Sequence, residues 1–188
     1  MPAGERKTRE RERRRRLILT TAREIAEAEG WEAVTTRRLA DAIEYSQPVL
    51  YSHFPNRAAI VREVAVEGFA ELAAVLRGAD SAAEPADLAL LAVARAYLEF
   101  GRLRPGLYEA MFSLADPSFA RTDAPEALRR AFAGLREPVA RLQPADADTA
   151  AEVVWSSLHG MVTLARGARL RPDRARERLE LLVRSLAR

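Results

Sequence analysis

One short stretch of the chain, QPVLYSH, carries side chains that are suited to contacts with nucleic acid. Gln47 can form a pair of hydrogen bonds with the edge of adenine, and Val49 can touch the methyl group of thymine. Tyr51, Ser52 and His53 can reach phosphate oxygens. If these residues lie along the outer face of a helix, that face has the chemistry to read a DNA duplex.

Two short helices separated by a tight turn are predicted to position this stretch. Thr35 or Thr36 is a good N-cap for a helix that ends near Ile43, and Ser46 can cap the next helix. Pro48 falls in the first turn of that next helix, where its missing N–H costs nothing. The caps therefore predict where both helices begin.

Apolar spacing predicts how the two helices are held. Leu50 and Phe54 are four residues apart, so they share the inner face of the second short helix. Leu39, Ala40 and Ile43 form the inner face of the first. A helix pair of this kind can place its second helix in the major groove while the first crosses the DNA backbone.

Helical spacing and helix-breaking residues extend through the rest of the chain, which predicts an all-α fold with about nine helices. The first helix is expected over residues 9–29 and ends at Gly30. Asn56 is expected to cap a long fourth helix through about Arg77, and Pro138 to kink or split its own helix. Further helices are predicted over residues 86–103, 105–115, 125–142, 146–168 and 172–187.

Excess positive charge is confined to the start of the chain. Residues 1–57 contain 12 Arg or Lys against nine Asp or Glu, whereas the remainder is balanced and the net charge is +3. A basic arm gains affinity for DNA by releasing counterions from phosphates, although such a run is equally consistent with a solvated tail. Its cations are Arg6, Lys7, Arg9, Arg11, Arg13, Arg14, Arg15 and Arg16.

Composition excludes several classes of site. The chain has no cysteine, which rules out disulfides and thiolate ligands, and its two histidines, His53 and His159, are too few for a histidine metal cluster. The apolar run after the basic start is too short for a signal peptide, and no later run is long enough to span a bilayer. We therefore expect a cytoplasmic protein without a cofactor or a metal.

The stretch TTRRLADAIEYSQPVLYSHFPNRAAI resembles the N-terminal pattern of the TetR family of bacterial repressors. The arrangement L-Y-x-H-F, followed three residues later by a basic residue, is the most specific part of the match. The matching positions are Thr36, Leu39, Ala40, Ser46, Leu50, Tyr51, His53, Phe54 and Arg57.

The resemblance implies roles for individual residues. Thr36, Tyr51 and Arg57 would contact the DNA backbone, and the third helix would read bases. From the residues alone, Tyr51 can instead pack against the first helix, and His53 can be a capping or surface histidine. Arg37 and Arg38 fit either a solvated face or a clamp on the backbone. The predicted DNA-binding residues are Thr36, Arg37, Ser46, Gln47, Pro48, Val49, Tyr51, Ser52, His53 and Arg57.

The chain departs from the family pattern in two places. The family usually has glycine in the turn, where this chain has Glu44. A left-handed conformation costs a non-glycine residue about 1 kcal/mol, so a turn of another shape is expected. Pro48 and Val49 stand where glycine and threonine are common, which shifts the predicted readout toward apolar contact.

The C-terminal half resembles a subclass of TetR regulators that is marked by a W…HG signature. The matching segments are Trp155–Gly160 and YLEFGRLRPGLYEAMF, and the family forms its homodimer through the last two helices, here about 146–168 and 172–187. The resemblance implies two domains. Residues 1–56 would bind DNA with the basic arm, and residues 57–188 would bind an effector and dimerise.

The resemblance also implies a ligand cavity within helices four to eight. Aromatic residues and methionine at helical spacing are more often core than pocket wall, and His159 can serve as a core hydrogen-bonding residue. Because few charged residues are among the candidates, the expected effector is a small apolar or aromatic molecule. The candidates are Phe69, Leu72, Tyr97, Phe100, Tyr108, Met111, Phe112, Phe119, Phe132, Trp155 and His159.

Together these features predict a ligand-responsive repressor that binds a pseudo-palindromic operator in double-stranded DNA as a dimer. One alternative is a regulator of the same fold that a protein partner controls. A second is an enzyme that uses His159 with Glu109 or Glu152, although no phosphate-binding loop or nucleophile elbow accompanies them. Sequence-selective DNA binding would separate the regulators from the enzyme.

Overall fold

The computed structural model describes residues 3–80, 85–114 and 124–186. Over those ranges the chain is all-α and contains no strand, as predicted. The α-helices are α1 (Ala3–Glu29), α2 (Thr36–Ala42), α3 (Gln47–His53), α4 (Arg57–Ala79), α5 (Ala86–Leu103), α6 (Pro105–Glu109), α7 (Glu126–Ala140), α8 (Ala147–Arg166) and α9 (Ala175–Leu186). Single 3-10 turns lie at Trp31–Ala33 and Pro172–Arg174, and a π-helical turn, Ala110–Leu114, follows α6.

The chain divides into two compact units. The first comprises Met1–Gly68 and Pro105–Pro117, and the second comprises Phe69–Arg104 and Ser118–Arg188. The first unit thus combines the helix-turn-helix with a later segment of the chain. The functional division after residue 56 stays a prediction.

Helix α1 begins earlier than predicted. It starts at Ala3 instead of near Arg9, so the basic run is helical. Arginine and glutamate are good helix formers, and Arg14 donates to Glu10 one turn earlier at 3.0 Å. Further along, Ile18 and Ala22 are fully buried and anchor α1 in the core of the first unit.

Helices α5, α7, α8 and α9 enclose the core of the second unit, which includes the buried Tyr97, Leu135 and Leu158. Pro138 does not split α7, which continues through it to Ala140. The missing N–H of Pro138 removes one intrahelical bond, to the carbonyl of Gly134, and α7 ends two residues later. The predicted split was therefore wrong, whereas the alternative, a kink, stays a prediction.

Candidate nucleic-acid interface

Helix α2 starts at the predicted cap. The Thr35 hydroxyl accepts from the backbone N–H of Arg38 at 3.2 Å, which satisfies one of the free donors of the first turn. Leu39 and Ala40 are buried, as predicted, while Arg37 is exposed on the outer side. Local capping and burial thus fix the position of α2 in the first unit.

The turn after α2 keeps the left-handed residue that glycine usually provides. Glu44 has φ of +58°. The N–H of Glu44 donates to Asp41 O at 3.3 Å and the N–H of Tyr45 to Ala40 O at 3.0 Å, the two bonds of a Schellman motif. The expectation of a turn of another shape was wrong. These two bonds hold Glu44 at a positive φ, which a residue with a side chain adopts only with strain.

Replacing Glu44 by glycine is therefore expected to stabilise the first unit by about 0.5–1 kcal/mol, since glycine adopts positive φ without that penalty. Urea unfolding measures this change. Glu44→Ala is the control, because it removes the same charge and retains the strained φ. Equal stability changes in the two variants would show that the strain is not the cause.

Helix α3 is short and anchored from one side. Leu50 and Phe54 are buried, as their four-residue spacing predicted. Phe54 ends the helix in an extended conformation, with φ of −136° and ψ of 121°. Ser46 stands at the N-cap without making a capping side-chain bond, and Pro48 occupies the first turn. The inner face is thus fixed and the opposite face is left to solvent.

That opposite face carries the predicted base-reading and phosphate-binding residues. Gln47 and Ser52 are exposed. Tyr51 is 47% exposed, so its ring is not buried in the core. Its hydroxyl lies 3.4 Å from Thr36 Oγ1, which brings two hydroxyls from adjacent helices together. Val49 is half-buried, and its carbonyl accepts from the Ser52 hydroxyl at 2.6 Å.

Arg57 has a structural role that the sequence did not suggest. Its Nε donates to Val34 O at 2.9 Å and its Nη2 to Trp31 O at 2.6 Å. The guanidinium therefore ties the start of α4 to the segment that precedes α2. The proposed phosphate contact of Arg57 stays a prediction, since it would compete with these bonds.

Arg15 ties α1 to the end of α3 and was not singled out by the sequence. Its Nη1 donates to His53 O at 3.2 Å, and its guanidinium carbon lies 4.5 Å from the centre of the Phe54 ring. It also pairs with Glu63 of α4, and that hydrogen bond raises the pKa of Arg15. Only tertiary contacts distinguish Arg15 from its basic neighbours, so sequence spacing gave no signal.

His53 is half-buried at the end of α3. Burial lowers the pKa of its imidazole, and the positive charges of Arg11, Arg14 and Arg15 lower it further. Its Nδ1 is buried without a hydrogen-bond partner. The imidazole is therefore neutral at neutral pH, and the charge on this face comes from arginine.

Arg38 and Arg37 differ although they are adjacent. Arg38 donates to Glu29 through both terminal nitrogens, Nη1 at 2.8 Å, and this pair lowers the pKa of Glu29. Arg37 lies exposed on the same helix. Of the two, Arg37 is thus the better placed for a phosphate.

Two family models match the chain. One, "Bacterial regulatory proteins, tetR family", matches residues 18–64, which include both short helices and their turn. The other, "Tetracyclin repressor-like, C-terminal domain", matches residues 90–186, more than half of the chain. The chain belongs to the tetR family. The predicted relationship is confirmed, and membership of a family of regulatory proteins sets aside the enzyme alternative based on His159.

Relatives of this tetR-family chain include regulators and solved structures. An uncharacterized HTH-type transcriptional regulator of Bacillus subtilis, YobS, is 38% identical over 96 residues, which are 50% of this chain and 49% of that protein. The match thus spans about half the length of the curated relative. A structure of unknown function from Rhodococcus sp. RHA1 is 27% identical, with a TM-score of 0.78 over 92% of this chain and 93% of that one. BioQ, solved with its double-stranded DNA operator, shares the fold at 23% identity, with a TM-score of 0.68 over 92% and 97%.

In this tetR-family chain the predicted ligand-lining residues are divided between the two units. Tyr108, Met111 and Phe112 lie in the first unit, where the rings of Tyr108 and Phe112 are 4.5 Å apart. Phe119 lies outside the described residues. In the second unit Phe69, Leu72, Tyr97 and Phe100 are buried, whereas Phe132, Trp155 and His159 are half-buried.

His159 sits part-way into the second unit. Burial lowers the pKa of its imidazole, which favours the neutral form at neutral pH. A neutral imidazole is compatible both with a core hydrogen bond and with an uncharged ligand. Its assignment to a ligand site stays a prediction.

Helices α8 and α9 have both a buried and an exposed apolar face. Leu158 and Leu179 are buried in the second unit. Val153 is 50% exposed, Leu164 40% and Leu181 65%. Apolar side chains of this size on the outside of two neighbouring helices form a surface that another protein surface can cover.

Two further features are absent from the described ranges. No group of three or more His, Cys, Asp and Glu residues is arranged there to hold a metal ion. No helix in those ranges is both long and apolar enough to cross a membrane.

Proposed function

We propose that the chain is a sequence-specific DNA-binding repressor that places α3 in the major groove of its operator. One observation carries the proposal. The buried Leu50 and Phe54 fix the inner face of α3, while the face with Gln47 and Tyr51 is open. A short helix that is rigid on one side and polar on the other meets the geometric need of groove recognition.

The residues on and beside this face divide into base-reading and backbone-binding groups. Gln47 has an amide that can bond adenine, and Val49 supplies apolar contact for a thymine methyl group. The paired hydroxyls of Tyr51 and Thr36 form a clamp for one phosphate. Further backbone contacts come from Arg37, Ser46, Ser52 and His53, with Pro48 at the groove edge. We assign Arg57 to holding the start of α4 against the segment at residues 31–34.

A homodimer supplies the second reading helix. The exposed Val153, Leu164 and Leu181 favour pairing of α8 and α9 with the same helices of a second copy. A two-fold dimer presents two copies of α3 to a pseudo-palindromic site, with half-sites about one helical turn apart.

We propose that a small apolar or aromatic effector controls the spacing of the two reading helices. An effector releases the DNA if it binds more tightly to a state in which the two reading helices have the wrong spacing. If 99% of the protein starts in the DNA-binding state, moving 99% of it out of that state needs about 5.5 kcal/mol of differential affinity. Phe132, Trp155 and His159 are half-buried and thus favour this role. A closed, packed interior would favour the alternative, control by a protein partner. Release of a bound duplex by added aromatic compounds supports the effector, and release by a purified partner supports the alternative.

A repressor of this kind would work in the bacterial cytoplasm and join the nucleoid when bound to DNA. Fluorescence microscopy of a tagged chain in live cells tests this placement. A signal that overlaps the stained nucleoid supports it, and a signal at the cell envelope contradicts it.

Selection of bound fragments from a pool of random 30-base-pair duplexes tests the proposed function, and variants of α3 test the residue roles. Gln47→Ala is expected to remove about 1–3 kcal/mol of preference at particular base pairs. Tyr51→Phe keeps the ring, loses one phosphate hydrogen bond, and is expected to weaken all duplexes alike by about 1 kcal/mol.

Competition binding with selected and scrambled duplexes measures both effects. If selection enriches no sequence, the chain is not a sequence-specific regulator. If Gln47→Ala leaves every selected variant bound as before, the base-reading assignment to Gln47 is wrong.

A further inference from the structure

A groove of about 730 Å³ lies between the first turns of α1 and the end of α3, within the first unit. It lies beside the face of α3 that carries Ser52. Because α1 is helical from Ala3, one wall of this groove is a regular helix. The groove is lined by Arg6, Lys7, Glu10, Arg11, Arg14, Ser52 and His53.

The charge of the groove is strongly positive. Arg6, Lys7 and Arg11 are exposed on the α1 side. The only carboxylate among the lining residues, Glu10, accepts from Arg14 at 3.0 Å. Three exposed cations therefore line the groove in addition to one internal ion pair.

Helix α1 is fastened to α3 and α4 one turn after Arg11. Ile18 is fully buried and secures the following turn of α1 in the core. Arg15 bonds the carbonyl of His53 and pairs with Glu63, which fastens α1 to the end of α3 and to α4. A solvated tail would have to be ordered on binding an anion, whereas this helix is ordered beforehand.

The two lining residues of α3, Ser52 and His53, add no negative charge to the groove. The groups that face His53 are Arg11, Arg14 and Arg15, and together with burial they lower its pKa. Its buried Nδ1 has no hydrogen-bond partner. A phosphate here would meet guanidinium groups and, at Ser52 and His53, polar groups that carry no negative charge.

We propose that this groove holds one sugar–phosphate strand of duplex DNA, so that the first turns of α1 follow the backbone beside the groove that α3 enters. The proposal rests on the proposed function and adds to it a second, sequence-independent contact along one face of α1. Exposed cations along one side of a helix can replace the counterions of a phosphate strand. The opposite face of the same helix would remain in solvent.

Two triple variants with the same change in charge test the proposal. The groove variant replaces Arg6, Lys7 and Arg11 by glutamine, and the matched control replaces Arg9, Arg13 and Arg16, which do not line the groove. Binding of the full chain to a random-sequence 30-base-pair duplex is measured by fluorescence anisotropy from 0.05 to 0.5 M KCl.

The groove variant is expected to lose about 0.9 from the salt slope for each phosphate contact, up to about 2.7 per chain, and to bind roughly a hundredfold more weakly at 0.1 M salt. The control is expected to lose less than 0.9. Equal losses in the two variants would overturn the proposal, because they would show a diffuse effect of charge.

A gain-of-affinity pair guards against misfolded variants. Glu10→Gln releases Arg14 in the groove and is expected to tighten duplex binding several-fold, whereas Glu12→Gln, outside the groove, is expected to change it by less than twofold. If the two variants bind the duplex equally well, the proposal that the groove holds DNA is overturned. If selection enriches an operator but these variants bind alike, the groove does not hold DNA and the proposed function still stands.

Discussion

If the proposed dimer pairs through α8 and α9, replacing Gly160 by tryptophan is expected to turn it into monomers and to weaken operator binding at least a hundredfold. A Cβ at Gly160 would meet no atom within 4 Å in the chain, so the single chain can accommodate the larger side chain. Gly160 lies seven residues after Val153 and four before Leu164, on the same exposed side of α8. An indole at this position would hold apart two helices that pack there.

The loss of DNA affinity follows from the loss of the second reading helix. Linked half-sites add two to four orders of magnitude to the affinity of one. Sedimentation analysis measures the mass, and anisotropy with the selected duplex measures the affinity. Gly78→Trp is the matched control, because a Cβ at Gly78 also meets nothing within 4 Å and Gly78 lies on α4. A Gly160→Trp chain that is still dimeric would place the interface elsewhere.

The helices that could be predicted from sequence are those whose ends have local causes. Thr35 caps α2, Asn56 Oδ1 accepts from Ala59 N at 2.9 Å at the start of α4, and Phe54 before Pro55 ends α3. Each cause lies within three or four residues of the end that it determines. The predicted boundaries of α2, α3 and α5 accordingly agree with the structure to within one or two residues.

Predictions failed at one local turn and at one long-range contact. Glu44 keeps a positive φ because the turn bonds to Asp41 and Ala40 outweigh its local preference. Arg15 resembles the other arginines of the run until Glu63, 48 residues later, is brought next to it. Neither result follows from spacing, since both depend on contacts that form only on folding.

The candidate ligand residues show the same limit for sites. Apolar spacing identified residues such as Tyr97 and Met111 that are buried, but it could not separate the core of one unit from that of the other. Burial alone gives aromatic residues the same pattern whether they pack against protein or line a cavity. The exposed face of α3 could be predicted because its residues are consecutive.

Arg57→Ala is expected to destabilise the first unit by about 2–3 kcal/mol. It is also expected to displace the segment at residues 31–34, which precedes α2, and so to weaken binding to every duplex. Two hydrogen bonds from a charged donor are lost, and the carbonyls of Val34 and Trp31 lose their partner. The guanidinium also stands at the start of α4, where the helix dipole disfavours a cation. The two hydrogen bonds offset this unfavourable interaction with the helix dipole.

The fluorescence of Trp31 isolates this effect. The chain has two tryptophans, and in a Trp155→Phe background the remaining one, Trp31, is buried in the first unit and reports its urea unfolding. Arg62→Ala is the control, since it removes the same charge from an exposed position of the same helix. If Arg57→Ala weakens DNA binding but leaves the Trp31 transition unchanged, Arg57 acts on a phosphate, as the family resemblance implied. If instead Arg57→Ala shifts the transition and Arg62→Ala does not, Arg57 holds the segment at residues 31–34. A side chain that only touched DNA would not alter the unfolding of the free protein.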